Sequence, residues 1–268
     1  MVNATTPTPY PQINALLGHL LIEAQRVLGE GFVGLYLHGS LACGGFNPET
    51  SDIDFLVVTE GPLPAGTFSA LKVMHACLSG SGRAWSQKIE GAYVPEGALR
   101  RHEPAHPPIP WLGLDGHFAL ETLGSDWILQ RWILREKGIV IAGPPVKPLI
   151  DPVCPDDLRE AVRGNLREWW SPPFPSPERF ESHGYRAYAV LTICRSLFLL
   201  AHGTPSSKPE AADWAMRKLG NRWNRLVEAA LQWRPGMQFD PSQETFDLIL
   251  FTLGEFRLPL EADRNSRA

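Results

Sequence analysis

The chain has 268 residues, 44% of them hydrophobic, which suffices for a sizeable core and, at roughly 150 residues per domain, for two domains. A net charge of −4 at pH 7, with an isoelectric point near 6.1, lacks the basic footprint of a nucleic-acid binder and suits a cationic small ligand instead. Cys43, Cys77, Cys154 and Cys194 form no CxxC pair, which argues against a zinc finger or a disulfide framework and for reduced thiols.

The N-terminal stretch MVNATTPTPYPQ has no basic region followed by an apolar run, so no signal peptide is expected. No apolar run approaches the roughly 20 residues that span a bilayer. A cytoplasmic protein with no membrane or nucleic-acid partner is the expectation, and a monomer.

Apolar residues from Ile13 to Leu28 recur at three- and four-residue steps and predict an amphipathic helix. GFVGLYLHGS (31–40) is an apolar run ending in Gly-Ser, a strand feeding a turn. SDIDFLVVTEG (51–61) predicts the second strand and TFSALKVMHACLS (67–79) a helix. WSQKIEGAYVP (85–95) predicts a third strand. RHEPAHPPIPW (101–111), with four prolines, reads as loop. In 125–145 a helix starting at Ser125 or Asp126 and closed by Gly138 precedes a short strand.

From Asp151 the character changes. Residues 151–170, 186–203, 209–219, 223–233 and 242–256 are all helix-like and joined by proline-rich links, and Cys194 reads as helix core. The predicted fold class is α+β, with a mixed α/β domain over 1–150 and an all-helical domain over 151–268.

Chemistry concentrates in LHGSLACGGFNPETSDIDFLVV, Leu37 to Val58. Residues two apart on a strand share a face, so Asp52 and Asp54 aim side by side while Ile53 and Phe55 point into core. Two carboxylates that close repel unless a cation sits between them. Mg²⁺, which favours one or two carboxylates plus substrate phosphates, suits this pair. Upstream, Gly39 and Ser40 let backbone amides and a hydroxyl approach phosphate oxygens with no Cβ in the way. Two-metal phosphoryl chemistry calls for a third carboxylate to act as base. Glu90, a charge in the middle of the predicted third strand, is the candidate; Glu96 and Glu103, in loop past Pro95, are its rivals.

These features resemble the nucleotidyltransferase superfamily with a DNA polymerase β-like palm. More narrowly they resemble the streptomycin/spectinomycin (3''- and 9-) adenylyltransferases. VLTICRSLF and HGTPSSKPEAADWAM in the second half are similar to that family's helical-domain signature, and the likeness spans residues 30 to 235.

The resemblance implies an N-terminal palm followed by a helical C-terminal domain, and transfer of AMP from ATP to a drug hydroxyl. Ser40 and Ser51 would contact ATP phosphates, Asp52 and Asp54 would hold Mg²⁺, and Glu90 would be the base and touch a metal. Arg195 and Lys208 would reach the nucleotide from the helical domain; Trp233 stands near where the family carries an aromatic ring.

For a cationic acceptor, the resemblance points to Trp169 and Trp170. Where an acid is expected before the VLT helix, the chain reads Tyr185 or Arg186; Glu178 and Glu181 are the carboxylates that could substitute. Trp214 and Trp223 read as helix core. Two other functions remain open on the sequence: AMP transfer to a protein or another small-molecule hydroxyl, and a palm that only binds nucleotide or a partner.

Overall fold

A computed structural model describes residues 6–255 apart from 104, 173, 175 and 176. The first five residues, and Phe256 at the end of the last predicted helix, lie outside the described residues. The chain divides into two compact units, Met1–Pro152 and Val153–Ala268. It is an α+β protein.

In the first unit α1 (Pro11–Leu28) leads into β1 (Phe32–Leu37), a short α2 (Gly39–Cys43), β2 (Ile53–Thr59), α3 (Ala65–Ser79) and β3 (Ile89–Pro95). Then follow α4 (Glu96–Arg100), β4 (Ile109–Leu112), β5 (Phe118–Glu121), α5 (Asp126–Lys137) and β6 (Ile139–Ala142). The sheet runs β5-β4-β3-β2-β1-β6. β2 and β3 are parallel, joined through α3, and every other pairing is antiparallel.

Period-two alternation gives this sheet a core on each face. Ile53, Phe55 and Val57 join Leu35 and Leu37 against Ile13, Leu16 and Leu20 of α1 and Leu71, Met74 and Leu78 of α3. Leu56 and Val58 join Tyr36, Ala92 and Val94 against Ala98 and Leu99 of α4 and Trp127 and Leu134 of α5. Arg131 anchors α5 by donating to the Leu99 carbonyl at 2.8 Å and to the Arg100 carbonyl.

The structure corrects two expectations. β3 starts at Ile89, because residues 85–88 form a turn in which the Lys88 N–H bonds to the Trp85 carbonyl at 2.9 Å. Glu90 is therefore the second residue of its strand, not the middle. The stretch 101–111 is not loop throughout: Ile109–Leu112 is a strand paired to β3 and β5. Its ladder to β3 holds only Trp111 opposite Ala92 and Leu112 opposite Gly91, so Pro110, which has no N–H, lies outside it.

The second unit contains α6 (Pro155–Trp169), a 3₁₀ turn at Pro177–Glu181, α7 (His183–His202), α8 (Lys208–Lys218), α9 (Asn224–Gln232) and α10 (Ser242–Glu255). α7 is its centre, packing against α6, α8, α9 and α10. Its all-round apolar sequence suits that place, and Cys194 is fully buried there, its thiol pushed up to about 12 by burial. Ser182 caps α7 and Ser207 caps α8, each hydroxyl accepting an N–H three residues on. Trp223 is buried, whereas Trp214 is half-buried against Phe198 and His202. Among the described residues no helix is long and apolar enough to cross a membrane.

The core under β2 holds a titratable pair. His75 of α3, 3% exposed, meets the Tyr93 hydroxyl through Nε2 at 2.8 Å and stacks on Phe55 and Phe118. Burial pushes its pKa down from 6.5 to about 3 and the Tyr93 phenol upward. Between these two His75 values the unfolded chain binds a proton that the folded chain refuses, so stability is intact above pH 6.5 and falls as the pH drops toward 3. In urea titrations from pH 7 to 4, His75→Phe is expected to lose stability less steeply than wild type, by on the order of 1 kcal/mol per pH unit.

Candidate active site

Asp52, Asp54 and Glu90 offer carboxylate oxygens that all lie within 4.8 Å of one another, and all three are half-buried. The sheet register brings this about. β2 and β3 run in parallel with Asp54 directly opposite Glu90, and Asp52 stands two residues earlier on the same side. All three project from the face that farther along carries Leu56, Val58, Ala92 and Val94. At this end of the strands the apolar cover gives way to carboxylates. The rivals are elsewhere: Glu96 pairs with Arg100 at 3.6 Å on α4, and Glu103 is exposed.

β1 brings the glycine-serine segment to the same place. It runs antiparallel to β2 with Leu37 opposite Phe55, and the His38 N–H then donates to the Asp54 carbonyl at 3.1 Å. The next residue, Gly39, has φ +60°, and a Cβ there would overlap the Asp54 carboxylate. Glycine is thus required twice, for the left-handed backbone and for the closeness of the carboxylate. Gly91 has a similar role: a Cβ on it would overlap the Phe55 carbonyl across the β2–β3 pair.

Ser40 follows in α2, and its Oγ is buried without a hydrogen-bond partner among the described residues. A buried hydroxyl left in that state suits an absent polar ligand. Ser51 Oγ accepts the Asn47 N–H at 3.0 Å, while the Ser51 N–H donates to the Asn47 carbonyl at 2.8 Å, fixing the turn that delivers Asp52. His38 is buried, and its pKa falls to about 4; burial outweighs the opposing pull of a Phe55 backbone bond and the Asp52 charge. It is neutral near pH 7 and brings no positive charge to the carboxylates.

This donor set fits a hard divalent cation. Three carboxylates supply oxygen ligands, and the neighbouring hydroxyl and glycine leave room for phosphate oxygens. One participant escaped the sequence reading. Trp111 on β4 donates its indole N–H to Glu90 Oε1 at 3.3 Å. Its signal was a tryptophan closing a proline-rich stretch, which concealed the strand.

The remaining candidates lie in the helical unit. Arg195 on α7 spends its Nε–H on the Ser206 carbonyl at 3.2 Å, and the Lys208 ammonium lies 5.4 Å from the ring centre of Tyr188. Trp169 and Trp170 part company: Trp169 is 48% exposed, whereas Trp170 is 4% exposed and packs on Phe180, Tyr185 and Tyr188. Glu178 and Glu181 are exposed on the 3₁₀ turn. Arg186 is buried and donates to the Phe180, Glu181 and Phe239 carbonyls, so it holds this turn to α7. Trp233 packs beside Gly184 and donates to the Met237 carbonyl at 3.0 Å.

Residues 25–101 match the nucleotidyltransferase domain family, and residues 148–250 match the aminoglycoside adenylyltransferase C-terminal domain family. The chain is 28% identical over 245 residues to aminoglycoside (3'') (9) adenylyltransferase of Escherichia coli, covering 85% of this chain and 88% of that protein. It is 26% identical over 217 residues to spectinomycin 9-adenylyltransferase of Campylobacter jejuni, covering 77% and 80%.

Its fold is that of spectinomycin adenyltransferase AAD(9) from Enterococcus faecialis, solved with ATP and spectinomycin. The TM-score is 0.70 at 16% identity, over 91% of this chain and 98% of that one. A nucleotidyltransferase domain carrying a carboxylate triad, followed by a helical domain, defines the class: the protein is an enzyme of nucleotidyltransferase type. Its likeness is to the aminoglycoside adenylyltransferases, through both matched domains and the relatives named.

The closeness of Gly39 to Asp54 makes a direct test of the site. Gly39→Ala is expected to lower the unfolding free energy by about 1–3 kcal/mol, the cost of a strained left-handed residue. It is also expected to weaken Mn²⁺ binding at least roughly tenfold, read by electron paramagnetic resonance, because Asp54 must move aside.

Proposed function

We propose that this chain transfers AMP from MgATP to a hydroxyl of a cationic aminoglycoside or aminocyclitol antibiotic of the spectinomycin and streptomycin kind. The observation that carries this reading is the meeting of Asp52, Asp54 and Glu90 beside Gly39 and Ser40 in a chain with this likeness. The relatives named for this activity and the fold neighbour solved with ATP and spectinomycin support it.

Asp52 and Asp54 would hold Mg²⁺, with Glu90 close enough to share a metal. When bound, Mg²⁺ neutralises the triphosphate and makes pyrophosphate a better leaving group. Ser40 Oγ donates to a phosphate oxygen, which satisfies a hydroxyl that otherwise has no partner. Ser51 holds the turn before Asp52 and turns its hydroxyl to the same phosphates.

Glu90 accepts the proton of the acceptor hydroxyl as its oxygen bonds to the α-phosphorus. The bond from that phosphorus to the bridging oxygen breaks, and pyrophosphate departs with the electron pair. The strand pairing contributes position: two carboxylates on adjacent strands keep base and metal ligands in one geometry throughout.

Arg195 and Lys208 are the candidates for further positive charge on the nucleotide. Glu181 and the exposed ring of Trp169 meet the cationic acceptor, pairing carboxylate with ammonium and ring with sugar, while Trp170, buried on Phe180, Tyr185 and Tyr188, supports them from beneath. The acidic balance of the chain favours such an acceptor.

The test is incubation with MgATP and a panel of spectinomycin, streptomycin and unrelated aminoglycosides, following pyrophosphate release and the mass of each drug. One drug is expected to gain AMP, and Glu90→Gln to slow the transfer by about 10²–10⁴-fold while ATP still binds. ATP binding with no adduct on any drug would move the acceptor to another hydroxyl compound or a protein.

A further inference from the structure

We infer that Trp111 is a positioning residue for the base: its indole N–H fixes the Glu90 carboxylate in the orientation in which it accepts the acceptor proton. The inference rests on the proposed role of Glu90. Trp111 sits on β4 directly opposite Ala92 of β3, and Glu90 is two residues before Ala92. Residues two apart on a strand share a face, so Trp111 and Glu90 are diagonal neighbours across one face, within reach of a long side chain. The indole spans that diagonal and donates to Oε1 at 3.3 Å.

The anchor is built into rigid structure. The Trp111 backbone is paired on both sides, to Ala92 of β3 and to Ala119 of β5. Its ring packs against the buried cluster that contains Ala92, Val94, Ile109 and Trp127. A side chain held in this way loses few rotamers when it makes its hydrogen bond.

An indole N–H donates but never accepts, so it holds the carboxylate without taking the proton. With Oε1 engaged by the indole, the carboxylate cannot turn about its terminal torsion, a soft one in glutamate. Oε2 is then the oxygen presented to the acceptor hydroxyl. A phenylalanine at 111 would keep the packing and lose the lock.

The experiment is steady-state kinetics of Trp111→Phe with the acceptor found in the drug panel, alone and combined with Glu90→Gln. Trp111→Phe is expected to lower kcat about tenfold, as losing one hydrogen bond to a charged group does, with both KM values within about twofold of wild type. In the Glu90→Gln background the same substitution is expected to cost nothing further, since the carboxylate it positions is gone.

A wild-type kcat in Trp111→Phe overturns the role. So does a loss carried wholly in the acceptor KM, or one of equal size in both backgrounds. Should Trp111→Phe fail to fold, replacing Trp111 by 3-benzothienylalanine keeps the bicyclic shape, lacks the N–H, and carries the same expectations. A Glu90→Gln protein as fast as wild type overturns the reading of Glu90 and the role of Trp111 with it. A slow Glu90→Gln beside a fast Trp111→Phe overturns the role of Trp111 alone.

Discussion

Three carboxylates with oxygens inside 4.8 Å of one another are the constraint around which the first unit is arranged. Like charges at that spacing repel, and a half-buried place weakens the screening that water would give. The fold nevertheless holds them there, because the parallel register of β2 and β3 sets Asp54 opposite Glu90. That register is in turn secured by residues with no charge. Ile53, Phe55 and Val57 are buried on one face and Leu56 and Val58 on the other, so a slip of one residue would turn Asp52 and Asp54 into the core beneath α1 and α3. The apolar core stabilises the register, and the register brings the charges together.

Two features beside the triad make sense only in that setting. Gly39 has no room for a side chain because the Asp54 carboxylate lies against it, and Gly91 has none because the Phe55 carbonyl does. The chain backbone at both places is packed to the limit around Asp54 and Glu90. Ser40 keeps a buried hydroxyl with no partner among the described residues, a cost that a phosphate oxygen would remove. A cation for the carboxylates and an anion for the serine are both present in MgATP, and one ligand answers both demands.

Much of this was legible in the sequence. The two-residue spacing of Asp52 and Asp54 at the head of an apolar strand implies a shared face through strand geometry alone. Glu90 stands out because a charge inside an apolar run is costly without a partner. Other parts depend on pairings between distant segments. Trp111 meets Glu90 only through the antiparallel fit of β4 to β3, and the prolines before it read as loop because local propensity carries no trace of a ladder two pairs long. The near-contact of Gly39 with Asp54 likewise exists only once β1 and β2 are paired. In the helical unit, Trp169 and Trp170 are adjacent and alike in sequence; the turn of the helix alone separates an exposed ring from a buried one.

The central claim is that the triad joins a divalent cation to a nucleoside triphosphate. Calorimetric titration of ATP into the wild type and into Asp54→Asn, each with Mg²⁺ and with chelator, tests it most directly. Mg²⁺ is expected to tighten ATP binding to the wild type by at least about tenfold, and this gain is expected to disappear in Asp54→Asn while its circular dichroism is unchanged. Equal affinity with and without Mg²⁺ in the wild type, or the same Mg²⁺ gain in Asp54→Asn, would contradict it.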